Sequence, residues 1–449
     1  MDILKLDQQI SLKIDDLGSH GEGVGRYEGF TIFVEGALPG ETVRAQIIQL
    51  QKRYGRGRLL TIETPSKHRV KPPCHLFAKC GGCQLMHLDY GRQLEIKTGR
   101  VRDALQRIGN ITDVNVSPCI ASESQLAYRN KIQLPARNTP NGIALGLYAV
   151  SSHELVPIDH CQIHCDIGDQ VYGEVLSIIK GSGITAYDPA NGKGELRHVL
   201  IKSAVVLQQV LVVLVTSKDH SPLLSAIAKL IMKKCPQVKG VVHNINREKD
   251  NVILGDIYNV LEGSSHIDEK LADLTFKISP ASFFQVNPEQ AVKLYAQALA
   301  FAELTGRETV LDAYCGVGTL SLFFARNAKS VVGVECVPEA IADAKTNAKV
   351  NGIENVTFVC DSSERFIGTL KSIDVAILNP PRKGCAPALL KGIARAGPKR
   401  VIYISCDPAT LARDLALLRS YGYQIDSVQP FDMFPQTAHV ETVVKLSRS

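Results

Sequence analysis

Two hydrophobic rhythms divide the chain. Residues 4–62 carry short runs in which apolar and polar side chains alternate: SLKIDDL, TIFVEGAL, ETVRAQIIQL and RGRLLTIET, separated by the Gly-rich GSHGEGVGRYEG and by LPGE. A period of two is that of a half-buried strand, so short strands with glycine turns predict a small antiparallel barrel. From Glu289 onward apolar strands alternate with amphipathic helices: TVLDAYC, TLSLFFARNA, SVVGVEC, PEAIADAKTNAKVNG, VTFVC, DVAILNP, PALLKGIARAG, RVIYISC and PATLARDLALLRSYG. That succession predicts a doubly wound parallel sheet, whose ligands bind outside the carboxyl ends of its strands. Between the two lie a helix-like LEIKTGRVRDALQRIG (94–109), the β-rich GIALGLYAV and HVLIKSAVVLQQVLVVLVT, and a helical SPLLSAIAKLIMKKC.

The expected fold class is α/β in three parts, since 449 residues exceed one compact core. A barrel takes 1–64, and a central α/β domain takes 65–278, with segment 92–125 helical and packed on the domain that follows. The doubly wound, Rossmann-like domain takes 279–449. The start, MDILKLDQQI, has no basic flank leading into an apolar core, so it does not resemble a signal peptide and a cytoplasmic protein is expected. The longest apolar stretch, AVVLQQVLVVLV over 204–215, is too short to span a bilayer, which takes about 20 residues. It is expected to be a buried strand. No membrane association and a monomer are the expectations.

Charge changes this picture more than overall composition does. The net charge is +6, but Arg44 to Arg107 holds fourteen Lys and Arg against Glu63, Asp89, Glu95 and Asp103. Such an excess points to a polyanion. QKRYGRGR interleaves cations with Tyr54 and glycine, a mixture suited to phosphate contact and base stacking.

Of the twelve cysteines, Cys119, Cys165, Cys235, Cys315, Cys336, Cys360 and Cys385 lie singly in strand-like or helix-like contexts and are expected to be small buried hydrophobes. Cys74, Cys80 and Cys83, in PPCHLFAKCGGCQ, are different. Three thiols in ten residues rarely arise for packing, and a fourth ligand from afar would complete an iron–sulfur or zinc site. Cys161 in IDHCQIHC is the candidate, with His164 and Cys165 as substitutes. Ligands of a two-knuckle zinc ribbon usually come as paired CxxC motifs, which this spacing is not.

The strand VLDAYC enters CGVGTL, where Gly316 and Gly318 let backbone approach a ligand at a helix N-terminus. The next strand ends in Glu335, where an acid can accept ribose hydroxyls. DAYCGVGT lacks the Lys of a phosphate-binding loop, which favours S-adenosylmethionine over ATP or NAD. DVAILNPPRKG puts Asn379-Pro380-Pro381-Arg382 at another strand end. Amino-group methyltransferases follow a similar run with an aromatic residue; Arg382 stands there instead, which weakens amino methylation.

RVIYISCDPATLARD ends a strand in Ser405-Cys406 at the same edge. Carbon 5 of a pyrimidine is a poor nucleophile until a thiolate adds to carbon 6, so such chemistry needs a Cys there. Carbon 5 must later lose a proton to a general base, and FDMFPQTAHVETVVKL offers His439 and Glu441. A carboxylate serves more simply.

With these motifs the chain resembles the bacterial 23S ribosomal RNA (uracil-5-)-methyltransferases over nearly its full length. SCDPATLARD resembles the family's catalytic motif and implies Cys406 as nucleophile; MFPQTAHVE implies Glu441 as proton acceptor. SFFQVN, DAYCGVGT, VVGVE and NPPRKG imply Gln285, Tyr314, Glu335 and Asn379 as cofactor contacts. Many relatives have Asp where this chain has Asn379, which hydrogen-bonds without charge. The resemblance further implies that residues 4–62 form a TRAM domain. It also implies that Cys74, Cys80, Cys83 and Cys161 hold a [4Fe–4S] cluster that is structural or assists RNA folding.

The expected reaction transfers methyl from S-adenosylmethionine to carbon 5 of a uridine in 23S ribosomal RNA. A transfer-RNA uracil-5 enzyme is the alternative; such relatives commonly lack both the barrel and the four-cysteine set. A cytosine-5 enzyme and a non-catalytic iron–sulfur RNA-binding or refolding protein are the remaining readings.

Overall fold

The computed structural model describes residues 4–448 apart from 151, 220–221, 249–251 and 371. The first three residues of the expected barrel, Ser221 at the head of the expected middle helix, and Ser449 lie outside the described residues. The chain forms two compact units. One takes Met1–Gly99, Tyr148–Glu154 and Phe434–His439; the other takes Arg100–Leu147, Leu155–Met433 and Val440–Ser449.

The first unit contains a closed five-stranded barrel. Its strands are β1 (Gln9–Leu17), β2 (Gly23–Tyr27), β3 (Phe30–Val34), β4 (Thr42–Leu50) and β5 (Tyr54–Thr64), in the order β1-β2-β3-β5-β4. The alternation in β1 puts Ile10, Leu12 and Ile14 inside with Ile32, Val34, Val43, Ala45 and Ile47, the period-two rule at work. One strand was invisible in the sequence: β2 lies in the stretch that reads as a glycine turn. A Cβ at Gly25 would stand 2.3 Å from the Lys13 carbonyl oxygen, so the close approach of β1 demands glycine inside the strand.

In the second unit a seven-stranded sheet combines β6 (Lys131–Thr139), β7 (Gly142–Tyr148), β8 (Leu155–Pro157), β9 (Leu196–Ala204), β10 (Gln209–Thr216), β11 (Val238–Ile245) and β12 (Ile257–Gly263). Helices α2 (Asp166–Gly181) and α3 (Pro222–Lys234) pack on it, while α1 (Tyr90–Arg107) precedes it in the chain. The 204–215 run is not one buried strand. It turns between β9 and β10, with Val206 61% exposed and Gln208 left-handed, because the Glu269 carboxylate accepts from the Val205 and Val206 amides and holds a tight hairpin there. Segment 92–125 is helical only to Arg107; Val116 and Ile120 are extended and bridge to Val428 and Phe431. Strands β13 (Ile267–Leu271) and β14 (Leu274–Ile278) form a hairpin.

The second sheet of this unit holds β15 (Thr309–Asp312), β16 (Ser330–Glu335), β17 (Val356–Cys360), β18 (Val375–Leu378), β19 (Arg400–Ser405), β20 (Gln424–Phe431) and β21 (Glu441–Ser447). Their order is β17-β16-β15-β18-β19-β21-β20, parallel except where β21 runs against β19 and β20. Helices α4 (Pro288–Ala302), α5 (Thr319–Ala325), α6 (Pro338–Val350) and α9 (Pro408–Ser420) pack against it, with α7 (Ser363–Phe366) and α8 (Pro387–Ala396) lying between α6 and α9 in the chain. The order reverses between β15 and β18, and ligands bind at such a switch point. Among the described residues no helix is long and apolar enough to cross a membrane.

Candidate active site

Four adjacent parallel strands deliver polar residues to one edge of this sheet: Glu335 ends β16, Asp312 ends β15, Asn379 follows β18 and Cys406 follows β19. β21 contributes from the opposite direction, starting at Glu441. In the β19–β21 register Ser405 pairs with Thr442. The next position on β19 is Cys406 and the next on β21 is Glu441, so antiparallel pairing sets thiol and carboxyl on facing positions just past the last rung. Motifs far apart in sequence thus meet by register.

The turn carrying Cys406 is fixed on both sides. The Asp407 amide donates to Ser405 Oγ at 3.1 Å, and the Asp407 carboxylate caps α9 by accepting from the Ala409 and Thr410 amides, both at 2.9 Å. Burial pushes the half-buried Cys406 thiol up to about 11; the Glu441 charge adds to this and Arg382 opposes it. Glu441 is 8% exposed, and burial pushes its carboxyl up to about 8 against the pull of the Arg382 guanidinium. No hydrogen bond among the described residues holds that carboxyl charged. A carboxyl so placed suits the exchange of a proton near neutral pH.

The Gly316–Glu335 portion is of another kind. Gly318, at φ +83°, starts α5, and a Cβ there would stand 2.8 Å from Phe358 Cζ. Gly316 is also left-handed, with open space where its Cβ would be. Half-buried Glu335 uses one oxygen to accept from the Cys336 and Val337 amides at 2.8 and 3.0 Å and from the Cys336 thiol at 3.2 Å. Its second oxygen has no such partner among the described residues. Buried Asp312 accepts from Ser321 Oγ at 2.7 Å through one oxygen, while the other lacks a hydrogen bond among the described residues. Burial pushes this carboxyl up to about 6. An orphaned buried oxygen, a free carboxylate oxygen and an open glycine turn fit the hydroxyls and amine of an adenosyl nucleoside.

Gln285 lies on a loop whose backbone is tied down: its carbonyl accepts from Asn130 Nδ2 at 3.0 Å. The Gln285 side chain bonds the buried Tyr295 phenol, which is pushed up by burial and also feels Glu441 and Asp312, so these four groups share a neighbourhood. Half-buried Tyr314 is hydrogen-bonded to Cys385, whose amide donates to Asp414 Oδ2 at 2.8 Å; Tyr403 donates to the same oxygen at 2.6 Å. Asn379 is half-buried.

Three residues beside the assigned ones escaped the sequence reading. Asp312 reads as an ordinary strand residue, although its place before the glycine turn could have marked it. Asp414 reads as a helix-surface acid and is instead buried beneath the loop after Asn379. Phe283, 69% exposed, presents a ring two residues before Gln285, and only its place in SFFQVN hinted at that. His439 belongs to the first unit, where its ring packs against Phe434.

Other expectations need correction. Cys336 and Cys360 are exposed, because they stand at and just past strand ends; the other five single cysteines are buried. The basic count overstates free charge: Lys97 is wholly buried and Arg69 is committed to Glu41 at 2.6 Å. Tyr54 packs edge-on against Phe33 at 5.5 Å, so its ring is already engaged in the barrel. Lys52, Arg53 and Arg58 remain exposed.

Cys74, Cys80 and Cys83 lie half-buried in the first unit, the Gly82 amide donating to the Cys80 sulfur at 3.4 Å. Cys161 belongs to the second unit, its amide donating to Asp169 at 3.1 Å; His164 bonds the same carboxylate and Cys165 is buried. The thiols have the chemistry of an iron–sulfur site, but among the described residues no group of three or more Cys, His, Asp or Glu is gathered to hold a metal ion.

Residues 204–449 match the model of the tRNA (Uracil-5-)-methyltransferase family, and residues 7–60 match that of the TRAM domain. An uncharacterized RNA methyltransferase of Clostridium acetobutylicum is 45% identical over 451 residues, 99% of this chain and 98% of that protein. One of Halalkalibacterium halodurans is 45% identical over 441 residues, 97% and 96% of the two chains. Among solved structures, the Pyrococcus abyssi tRNA (uracil-54, C5)-methyltransferase in complex with S-adenosyl-L-homocysteine superposes with a TM-score of 0.79 at 29% identity, over 97% of this chain and 100% of that one.

Proposed function

The chain belongs to the S-adenosylmethionine-dependent RNA (uracil-5-)-methyltransferases with a TRAM domain, and from that premise we propose that it methylates a specific uridine of 23S ribosomal RNA through a covalent adduct of Cys406. The observation that carries the mechanism is the register that faces Cys406 with Glu441 at the sheet edge.

The Cys406 thiol gives its proton to solvent and the sulfur adds to carbon 6 of an extruded uridine, the electrons of the 5,6 double bond moving toward the carbon 4 carbonyl oxygen and making carbon 5 an enolate carbon. S-adenosylmethionine, when bound, supplies the sulfonium methyl that carbon 5 takes. Gly316, Gly318 and Glu335 hold the nucleoside, with Gln285, Tyr314 and Asn379 as further contacts. Glu441 then accepts the carbon 5 proton, the electrons of that C–H bond re-form the 5,6 double bond, and the sulfur leaves carbon 6. Burial of Glu441 suits this step, since a base whose conjugate acid titrates near operating pH both accepts and returns protons readily.

The ribosomal assignment rests on the barrel and the cysteine set. One observation favours transfer RNA instead: the Pyrococcus abyssi tRNA (uracil-54, C5)-methyltransferase is matched over the whole of its chain. Labelled methyl from S-adenosylmethionine, offered to unmodified 23S ribosomal RNA and unmodified transfer RNA with the product mapped, decides. Label at carbon 5 of a ribosomal uridine is expected. Label only in transfer RNA keeps the chemistry and replaces the substrate; none in either leaves a non-catalytic RNA-binding role. A cytoplasmic site of action goes with either RNA.

A [4Fe–4S] cluster on Cys74, Cys80, Cys83 and Cys161 belongs to the same proposal, as a structural group through which no step of methyl transfer runs. Its support is three half-buried thiols in one short loop. Iron and acid-labile sulfide should accompany anaerobically purified protein and fall in Cys80→Ser; their absence from the unaltered protein removes the cluster.

A further inference from the structure

Cys336 and Cys360 stand apart from the other single cysteines in being exposed and in being neighbours. Glu335 of β16 pairs with Cys360 of β17 in parallel register, and Cys336 is the next residue along. Strands lie about 4.8 Å apart and rise about 3.3 Å per residue. A diagonal step between ideally paired strands spans about 5.8 Å, inside the Cα separation of roughly 4.4–6.8 Å that a disulfide tolerates, and Cys336, one residue past the end of β16, is released from the alternation that would turn its side chain to the other face. The Cys360 sulfur already lies 3.8 Å from the Cys336 carbonyl oxygen. The Cys336 thiol donates to Glu335, the acid assigned above to the cofactor.

We propose that Cys336 and Cys360 form a thiol modification site that takes a low-molecular-weight disulfide, closes to an intramolecular disulfide, and thereby weakens cofactor binding at Glu335. The inference rests on the reading of Glu335 as a cofactor contact. The thiolate of one cysteine attacks the external disulfide, giving a mixed disulfide and releasing one thiolate. The second cysteine, after losing its proton, attacks the protein sulfur of that adduct and releases the other half as thiolate. Two protein thiols are oxidised and one external disulfide becomes two thiols. Closure removes the S–H that Glu335 accepts and draws β16's last residues toward β17, moving the carboxylate from where a ribose would meet it. The burial around Cys315 and Cys385 shields those thiols from the same reagent.

The test treats the full chain, purified anaerobically and reduced, with glutathione disulfide. It reads peptides joined through Cys336 and Cys360 by mass spectrometry and S-adenosylmethionine binding by equilibrium dialysis, neither of which depends on turnover by Cys406. A joined peptide with affinity falling about tenfold, the worth of one charged hydrogen bond, and returning with dithiothreitol is expected. Cys360→Ser should bind as the unaltered protein does when reduced and keep its affinity under glutathione disulfide. No joined peptide, or a joined peptide with affinity unchanged, overturns the proposal, as does an equal loss in Cys360→Ser. Reduced protein that binds no S-adenosylmethionine counts against the reading of Glu335, while the joined peptide still decides whether the thiols pair.

Discussion

Two glutamates, one in each unit, are almost equally buried and opposite in character. Glu41 in the barrel unit is wholly inaccessible, and its carboxylate accepts from the Leu38 amide at 2.8 Å, the Ser66 amide at 3.2 Å and Arg69 at 2.6 and 2.9 Å. Burial alone would push it up, but those donors win and hold it below its usual range. Glu441 in the methyltransferase unit is 8% exposed, has no such donors among the described residues, and is pushed up to about 8. Burial sets the stakes and hydrogen bonding decides the outcome. A satisfied buried acid is a structural fastening; an unsatisfied one beside a thiol has the character that the proposed proton acceptor needs.

Removing the chemistry gives the largest effects. Cys406→Ala should lower methyl transfer at least about 10⁴-fold, as losing a covalent nucleophile does, while S-adenosylmethionine binding by dialysis is unchanged. Turnover at even a tenth of the normal rate would dismiss the adduct. Glu441→Gln should cost about 10²–10⁴-fold and leave RNA covalently attached, visible as a slower band on a denaturing gel; loss of activity with no attached RNA would move the base elsewhere.

Stability should respond in reverse. Glu41→Gln leaves Arg69 without its counter-charge and should weaken the barrel unit by about 3 kcal/mol, read by hydrogen exchange in its strands, with turnover per folded molecule kept. Because folding lowers the Glu41 titration, the stability it supplies is present above the unfolded carboxyl range and lost as pH falls through the folded value. For Glu441 the sign is opposite. Its folded value is raised, so native protein binds the extra proton and stability drains away as pH climbs from the usual carboxyl range through about 8. Glu441→Gln should therefore melt a few degrees above the unaltered protein at pH 8 and match it at acid pH.

How much of this was legible in the sequence follows from the same contrast. Strand ends announce themselves, because an apolar run that stops at a polar or glycine residue needs only local information; Glu335, Asn379 and Cys406 fall at strand ends by that pattern alone. The facing of Cys406 and Glu441 could not be deduced from spacing, since it depends on β21 entering antiparallel between β19 and β20. Strand β2 was missed because glycine there serves a close approach that only its neighbours reveal. The exposure of Cys336 and Cys360 was missed because a strand pattern does not say where its last residues leave the sheet. Asp414 looks like a surface acid until Tyr403 and the Cys385 amide are seen to donate to it.

On the cofactor side the expected effect is smaller. Glu335→Gln should raise KM for S-adenosylmethionine about tenfold with kcat nearly unchanged, since it weakens a contact made equally in ground and transition states. A fall in kcat alone would mean that Glu335 acts on the chemistry.

The finest test of the comparison is Arg382, whose charge pulls down both Glu441 and Cys406. In the unaltered protein kcat/KM should rise with pH through about 8, because the base works only when deprotonated and the thiol must also lose its proton. Arg382→Gln removes that pull, so both groups hold their protons longer and the rising limb moves to higher pH. Activity at pH 7 should fall several-fold and recover at alkaline pH, with Arg382→Lys restoring the original limb because it keeps the charge. If Arg382 instead only grips a phosphate, the limb stays where it was. The variant then loses activity evenly across pH, and its RNA affinity loses about one unit of salt slope. The contrast with Glu41 explains why the first outcome is expected: a carboxylate already holding several donors would hardly notice one lost charge, whereas Glu441 has no other group among the described residues to lower it.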